Sequence, residues 1–148
     1  MIRPYRSDDF DAVTRFWFDA MEAAMPGLEE RLGHTLEDAR GYFADVVLRR
    51  NQVWIFELAE SPVGYLGVSG EFIDRLYVNR AYFRRGIGRA LLEQARSLSP
   101  IHLWLYTHQA NKMARNFYEK NGFHPEKFGT SPAPESEPDV EYHWRAKG

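Results

Sequence analysis

Apolar and polar residues follow two distinct periods along this chain, and the switches between them outline a series of strands and helices. Ile2 to Tyr5 reads as a short first strand. Ser7 then stands as an N-cap, with Asp8 and Asp9 in the first turn where a helix dipole favours negative charge. Phe10, Val13, Phe16, Trp17, Ala20 and Ala24 recur at helical spacing until Met25-Pro26-Gly27 stops the helix. The spacing predicts a second helix from Thr35 to Arg50, with Leu36, Ala39, Phe43, Val46 and Val47 inward.

Gln52 to Ala59 and Val63 to Ser69 are strand-like runs joined at Glu60-Ser61-Pro62, a hairpin signal, and Glu71 to Val78 is a further strand. A helix from Gly86 to Leu98 carries its apolar stripe on Ile87, Ala90, Leu91, Ala95 and Leu98. After Pro100, Ile101, Leu103 and Leu105 alternate with His102, Trp104 and Tyr106 in a strand that is largely apolar on both faces. A helix from Asn111 to Asn121 comes next, stopped by Gly122 at the position that takes a left-handed residue. Phe123 to Phe128 and Val140 to Arg145 are the last strands, with a Pro-rich acidic loop, Gly129 to Asp139, expected to be mobile between them. The order β-α-α-β-β-β-α-β-α-β-β predicts an α/β fold in one domain, residues 1–148: a mixed central sheet of about seven strands flanked by about four helices.

Composition narrows the chemistry. The chain has no cysteine, which excludes a disulfide framework, a thiolate metal site and transfer through an enzyme thioester. A formal net charge of −2 argues against wholesale nucleic-acid binding. No apolar run has the length of a membrane span, and Met1-Ile2-Arg3-Pro4 lacks a signal-peptide core, so a cytoplasmic location is the expectation. Arginine is concentrated locally: Arg75, Arg80, Arg84, Arg85, Arg89 and Arg96 fall within a short stretch that holds only Asp74 and Glu93 as acids.

That stretch runs from a strand through Arg84-Arg85-Gly86-Ile87-Gly88-Arg89 into a helix. Backbone N–H groups and a helix dipole there converge on one point, an arrangement suited to a phosphate. The same residues are also compatible with a plain strand-to-helix turn edged by solvated arginines. A Rossmann fingerprint is absent because Leu91 occupies the third glycine position, and the Walker A pattern is absent altogether. In the later helix, Ala114, Phe117 and Tyr118 share one face, and a buried Tyr118 hydroxyl needs a partner. Asn111 opens that helix just past a strand end, where ligand-contacting polar groups sit in open α/β sheets.

Together the two segments resemble the GNAT superfamily of N-acetyltransferases, small single-domain members above all. Asn111, Ala114, Phe117, Tyr118, Gly122 and Phe123 complete the family pattern N-x-x-A-x-x-F-Y-x-x-x-G-F. Gly86 and Gly88 fit its glycine loop, although Phe83 stands where Gln or Arg is usual. The resemblance implies acetyl-CoA as cosubstrate, with no metal. Its pyrophosphate would rest on Arg84, Arg85, Gly86, Ile87, Gly88 and Arg89, and its pantetheine arm would run beside Leu76, Tyr77 and Val78. A backbone N–H of that strand would polarise the thioester carbonyl, Asn111 would contact the cofactor arm, and Tyr118 would protonate the leaving thiolate.

The resemblance further implies direct transfer to an amine in a ternary complex, with a strand carboxylate as base. Glu71 and Asp74 are the acids available, and Glu71 is preferred; they point to opposite faces unless a bulge intervenes. His102 and His108 flank the same end without metal spacing. Trp17, Met21, Met25, Trp54, Tyr77 and Trp104 could line an acceptor pocket or belong to the core. The acceptor is expected to be an amine-bearing small molecule or a protein amine. A homodimer through the last strands, a non-catalytic acyl-CoA-binding module, and a protein-interaction role for the Gly129 to Asp139 loop stay open as alternatives.

Overall fold

The computed structural model describes residues 1–147. Its seven strands are β1 (Ile2–Pro4), β2 (Gln52–Leu58), β3 (Ser61–Ser69), β4 (Phe72–Val78), β5 (His102–His108), β6 (His124–Thr130) and β7 (Pro138–Arg145). They form one sheet in the order β1-β2-β3-β4-β5-β7-β6. Every neighbouring pair is antiparallel except β4 and β5, which are parallel and share a single register pair, Phe72↔Trp104. The sequence expectation of a mixed seven-stranded sheet is met.

Helices α1 (Phe10–Ala24), α2 (Leu28–Leu32), α3 (Leu36–Tyr42) and α4 (Leu48–Arg50) precede β2, whereas α5 (Ile87–Leu98) and α6 (Lys112–Lys120) come after β4 and β5. Two cores result. On one face of the sheet Val13, Phe16, Trp17, Ala39, Phe43 and Val47 pack on Ile55 and Tyr65. On the other, Ile87, Leu91, Leu92 and Ala95 of α5, with Tyr118 of α6, pack on Leu66, Leu103, Leu105 and Tyr142. Each core is fed by one parity of the strand residues, which is why β5 alternates Leu103 and Leu105 inward with Trp104 and Tyr106 on the opposite face.

Several expectations are corrected. Ser7 is not the cap of the first helix. It opens a 3-10 turn, Ser7–Asp9, that starts from Arg6, whose backbone N–H is accepted by the Asp9 carboxylate at 2.8 Å, and Asp9 itself stands at the N-cap of α1. The helix expected over Thr35 to Arg50 is interrupted by a π turn at Phe43–Val47, although Thr35 caps its start with Asp38 as anticipated. A short helix at Leu28–Leu32, held between left-handed Gly27 and Gly33, has no counterpart in the apolar period. In α5 the buried stripe includes Leu92, while Leu98 is exposed, because the last turn overhangs the sheet. Ile101 is likewise exposed and lies outside β5. The hairpin before β3 turns on Ala59 and Glu60, both left-handed, so Ser61 and Pro62 already belong to the strand.

The acidic loop is tied down rather than free. β6 and β7 extend into it, His108 Nε2 meets Glu135 Oε1 at 2.9 Å, and Arg31 forms an ion pair with Glu137.

The entry to α1 rests on a buried ion pair. Arg3 donates to both oxygens of Asp9 at 2.8 Å and its Nε to Glu57 at 3.0 Å. Burial alone would raise the Asp9 pKa, but the Arg3 bonds and the Arg6 N–H overcome it and hold the carboxyl below its ordinary value. A depressed native pKa adds stability that is present above the unfolded value, about 3.9, and disappears as the pH falls through the native one. Asp9→Asn should therefore cost about 3 kcal/mol at pH 7 and flatten the loss of stability on acidification, read by denaturant titration from pH 7 to 3. Gly64 gives a second check, since an added Cβ would stand 3.0 Å from Ile87 Cγ2 and 3.1 Å from Leu91 Cδ1. Gly64→Val should lower stability by about 1–3 kcal/mol in the same assay, by forcing α5 off the sheet.

Candidate active site

The glycine loop is built for close approach by a ligand. After β4, Asn79 caps a short turn by accepting the Ala81 N–H at 3.0 Å. Arg84 (φ 65) and Gly86 (φ 78) are both left-handed, which curls the backbone around the start of α5. No side chain caps that helix, and its first internal bond is donated by Ala90 to Gly86. The N–H groups of Ile87, Gly88 and Arg89 are thereby left facing outward, as an anion site requires. Gly88 fits because a Cβ there would press on the Phe117 ring at 3.3 Å. Arg84, Arg85 and Arg89 are exposed around the loop, with the Arg85 guanidinium 5.2 Å above the Tyr82 ring.

Two of the expected loop arginines are elsewhere. Arg96 is engaged with Glu93, the Asn121 carbonyl and the Trp144 ring. Arg75 lies on the α1 face of the sheet, its guanidinium 4.5 Å over Trp17 and 5.2 Å from the Tyr42 ring.

β4 presents an open edge beside this loop. Beyond Phe72↔Trp104, where the Trp104 N–H meets the Glu71 carbonyl at 3.0 Å, β4 and β5 share no further ladder. A bulge promotes the divergence: Gly67 pairs with Arg75 and Val68 with Ile73, so Asp74 is an extra residue in β4. Asn51 Nδ2 pins that bulge at 2.7 Å from the Asp74 carboxylate. The Asn79 N–H bonds to Val63 on β3 at 2.8 Å. Amide directions alternate along a strand, so the Tyr77 N–H also points to β3, and those of Leu76 and Val78 point into the split. The structure thus brings Leu76 and Val78 to the split by their backbone, while Tyr77 turns its ring to the α1 face, where its hydroxyl meets Met21 Sδ at 3.3 Å.

The far wall of the split comes from β5 and α6. Asn111 caps α6 through an Oδ1 bond from the Ala114 N–H at 3.1 Å, which leaves its amide NH₂ available. Gly122, at φ 89, ends the helix. Tyr118 is buried among Phe117, Phe123 and Tyr142, in the same core as Leu76, Val78 and Ile87. Its hydroxyl has no hydrogen-bond partner among the described residues and keeps contact with solvent. Burial, and secondarily Tyr77, push its pKa well above the ordinary phenol value, so the proton stays on the oxygen.

Glu71 stands apart from this group. It precedes β4 at the closed end of the split, largely exposed, with Oε2 2.9 Å from His102 Nδ1. Asp74, brought round by the bulge, is committed to Asn51. Of the residues considered for an acceptor pocket, Trp17, Met21 and Tyr77 gather around Arg75, whereas Trp54 packs on the opposite face with the α5 core and is excluded. Met25 lines an open groove of about 400 Å³ together with Arg31, Ala110 and Glu137. Trp104 joins Phe72 and Tyr106 in an aromatic group at the apex of the split. His108 has its pKa raised by the Glu135 bond, which outweighs the effect of burial. Sequence reasoning missed the Arg75 stack and the pairing of His102 with His143, because both depend on contacts between segments far apart in the chain. Among the described residues no three acids or histidines are disposed to hold a metal ion, and no helix is long and apolar enough to cross a membrane.

The sequence model for the family described as Acetyltransferase (GNAT) domain matches residues 49–125. The chain is 29% identical over 125 residues to the peptidyl-lysine N-acetyltransferase YiaC of Escherichia coli K12, covering 84% of this chain and 83% of that protein. The peptidyl-lysine N-acetyltransferase YjaB of the same organism is 28% identical over 124 residues, covering 82% and 80%. The solution structure of apo-form YjaB matches this fold with a TM-score of 0.77 at 24% identity, over 97% of this chain and 96% of that one. The crystal structure of the paia N-acetyltransferase from Thermoplasma acidophilum in complex with coenzyme A matches with a TM-score of 0.73 at 18% identity, over 99% and 98%. The matched segment runs from the end of α4 through the split and the glycine loop to Tyr118 and beyond, and the chain belongs to the GNAT acetyltransferase family.

Proposed function

We propose that this chain is an acetyl-CoA-dependent N-acetyltransferase that transfers the acetyl group directly to a primary amine in a ternary complex. The observation that carries the reading is the open β4 edge, with an anion cradle at one end and the Tyr118 hydroxyl across from it. Acetyl-CoA supplies the activated acyl group. The outward N–H groups of Ile87, Gly88 and Arg89 and the exposed Arg84, Arg85 and Arg89 hold its phosphates. Leu76 and Val78 extend the sheet to the pantetheine amides, and one of their N–H groups polarises the thioester carbonyl. The NH₂ group of Asn111 steadies the arm.

Tyr118 donates a hydrogen bond to the sulfur as the C–S bond breaks and passes its proton to the thiolate. Its raised pKa keeps the phenol neutral and so available as a hydrogen-bond donor to the sulfur, while making it a weaker acid than an ordinary tyrosine. No cysteine is available for a thioester relay, which favours direct attack by the amine.

The acceptor class is inferred from charge. Glu135, Glu137, Asp139 and Glu141 gather along the loop and β7 beside the C-terminal half of β5, with Glu135 paired to His108 and Glu137 to Arg31, an acidic setting that favours an ammonium over an acid. The relatives named as peptidyl-lysine N-acetyltransferases support a lysine side chain as the amine. The second reading, an acyl-CoA-binding module without turnover, is separated by one assay: only an enzyme releases free CoA in excess of its own concentration when given a lysine peptide.

Two variants test the assignments. Tyr118→Phe should keep acetyl-CoA affinity within twofold and lose about 10²-fold or more in kcat; unchanged turnover removes Tyr118 from the chemistry. Gly88→Val, which drives a side chain into Phe117, should weaken acetyl-CoA binding at least tenfold by calorimetry. Unaltered affinity in a folded Gly88→Val protein would place the phosphates elsewhere.

A further inference from the structure

Helices α1 to α4 cover only the β2–β4 part of their face, so β5 and β7 present side chains on that face without a helix above them. His102, Trp104 and Tyr106 of β5 stand there opposite Arg145, His143 and Glu141 of β7. Four of the titratable groups form a continuous chain. Glu71 Oε2 lies 2.9 Å from His102 Nδ1, His102 Nε2 lies 2.9 Å from His143 Nδ1, and His143 Nε2 lies 2.6 Å from Glu141 Oε2. The two imidazoles stack at 5.1 Å between centroids, and His143 lies nearly parallel to the Trp104 ring.

The protonation of this array can be counted. An ionised carboxylate only accepts, so His102 Nδ1 and His143 Nε2 must both donate, and the N···N contact between the rings needs one proton more. All three contacts are made at once only with three protons on four nitrogens. The ring pair then carries one positive charge between two carboxylates. Removing a proton leaves two neutral rings and one contact unmade. The array is therefore a store for a single labile proton.

Its inner end is at the apex of the split. Phe72 and Trp104, whose rings lie 4.6 Å apart, mark where β4 and β5 meet, and Tyr106 completes the aromatic group. The Tyr106 hydroxyl faces the Glu141 carboxylate, its cross-strand partner. Glu141 has a side chain only 20% exposed, whereas Glu71 at the outer end is 56% exposed. The array thus runs from the place where the acetyl group must meet the amine out to bulk water.

We propose that Glu141 accepts the proton of the incoming ammonium and that His143, His102 and Glu71 conduct it to solvent. The inference rests on the N-acetyltransferase reading above. An acceptor R–NH₃⁺ loses one N–H proton to Glu141 before it can attack. The ring pair, holding its two protons on His143 Nδ1 and His102 Nδ1 with the His143 Nε2 lone pair turned towards Glu141, takes this one as its third at that nitrogen. The bridging proton shifts towards His102, and the His102 Nδ1 proton leaves through Glu71 to water. The amine then forms the N–C bond, the C–S bond breaks, and the second N–H proton replaces the one that Tyr118 gives to the thiolate. The balance is one acetylamide, one CoA thiol and one proton released per turnover. Glu71, preferred as the base on sequence grounds, becomes the outlet of the array rather than its first acceptor.

Other charges bear on its titration. From β6, His124 faces His143 and Lys127 faces Glu141, while Glu126 pairs with Arg145 at 2.5 Å beside His102. Asp139 is the next acid along β7. Once the pair carries its third proton, the bond from His143 Nε2–H holds the Glu141 carboxyl below its ordinary range.

The test measures CoA release with acetyl-CoA and a lysine pentapeptide from pH 5.5 to 9, using the full chain. The wild type should show an acid limb in kcat/KM for the peptide. Glu141→Gln should lower kcat/KM about 100-fold with acetyl-CoA affinity unchanged, and Glu141→Asp should recover part of the loss. His143→Asn and His102→Asn should each lower it about tenfold and displace the acid limb, whereas Tyr118→Phe should keep the limb where it is. In ¹⁵N spectra a coupling across the N···N hydrogen bond should connect His102 Nε2 with His143 Nδ1. A folded Glu141→Gln within twofold of the wild type, an acid limb unmoved in His102→Asn, or absence of that coupling each overturns the array. A wild type that releases no CoA overturns the functional reading instead.

Discussion

The site depends on β4 and β5 parting company after a single shared pair. Two parallel strands that begin side by side at Phe72 and Trp104 would ordinarily continue a ladder. Here Asp74 is inserted into β4, the extra residue increases the local twist, and the strand turns away from its neighbour. Asn51 fixes the bulge from the start of β2, and the aromatic contact of Phe72 with Trp104 fastens the apex. The two strands thereby enclose a wedge with an unpaired backbone edge on one wall and Asn111 and Tyr118 on the other. An unpaired edge in the middle of a sheet is costly unless something completes it. A ligand that itself carries amide groups is the natural partner.

The two faces of the sheet divide the labour. The α5 and α6 face supplies the glycine loop, the hydrophobic wall behind the donor and a phenol kept neutral by burial. The opposite face is covered by helices only as far as β4. The remainder exposes an aromatic and acidic surface with the Glu71–His102–His143–Glu141 array across it. In the proposed reaction, proton donation to sulfur and proton removal from nitrogen fall on opposite sides of one sheet, each with its own route.

Most of the fold and part of the candidate site were legible along the chain. Ile87, Leu91 and Ala95 declare α5 by their period. Asn111 and Gly122 bracket α6, and Gly86 with Gly88 marks the cradle, because each of these signals is local and encoded within a few residues. The features that escaped are non-local. Asp9 looked like a first-turn acid and proved to be the buried partner of Arg3. Arg75 counted with the phosphate-loop arginines but lies on the other face, since the bulge at Asp74 shifts its parity in the strand. Trp54 resembled a pocket residue until the register of β2 sent it to the α5 face. His102 meets His143 only because β7 returns beside β5 across a long excursion, a register that no periodicity in either segment announces.

If the acyl donor completes the sheet at the β4 edge, the backbone amides there must change on binding. Amide hydrogen exchange at Leu76 and Val78, compared with and without coenzyme A, reads that change residue by residue. These two N–H groups should become strongly protected in the complex while Tyr77, already paired to β3, changes little. Equal exchange of Leu76 and Val78 in the free and coenzyme-saturated protein would contradict completion of the sheet by the donor.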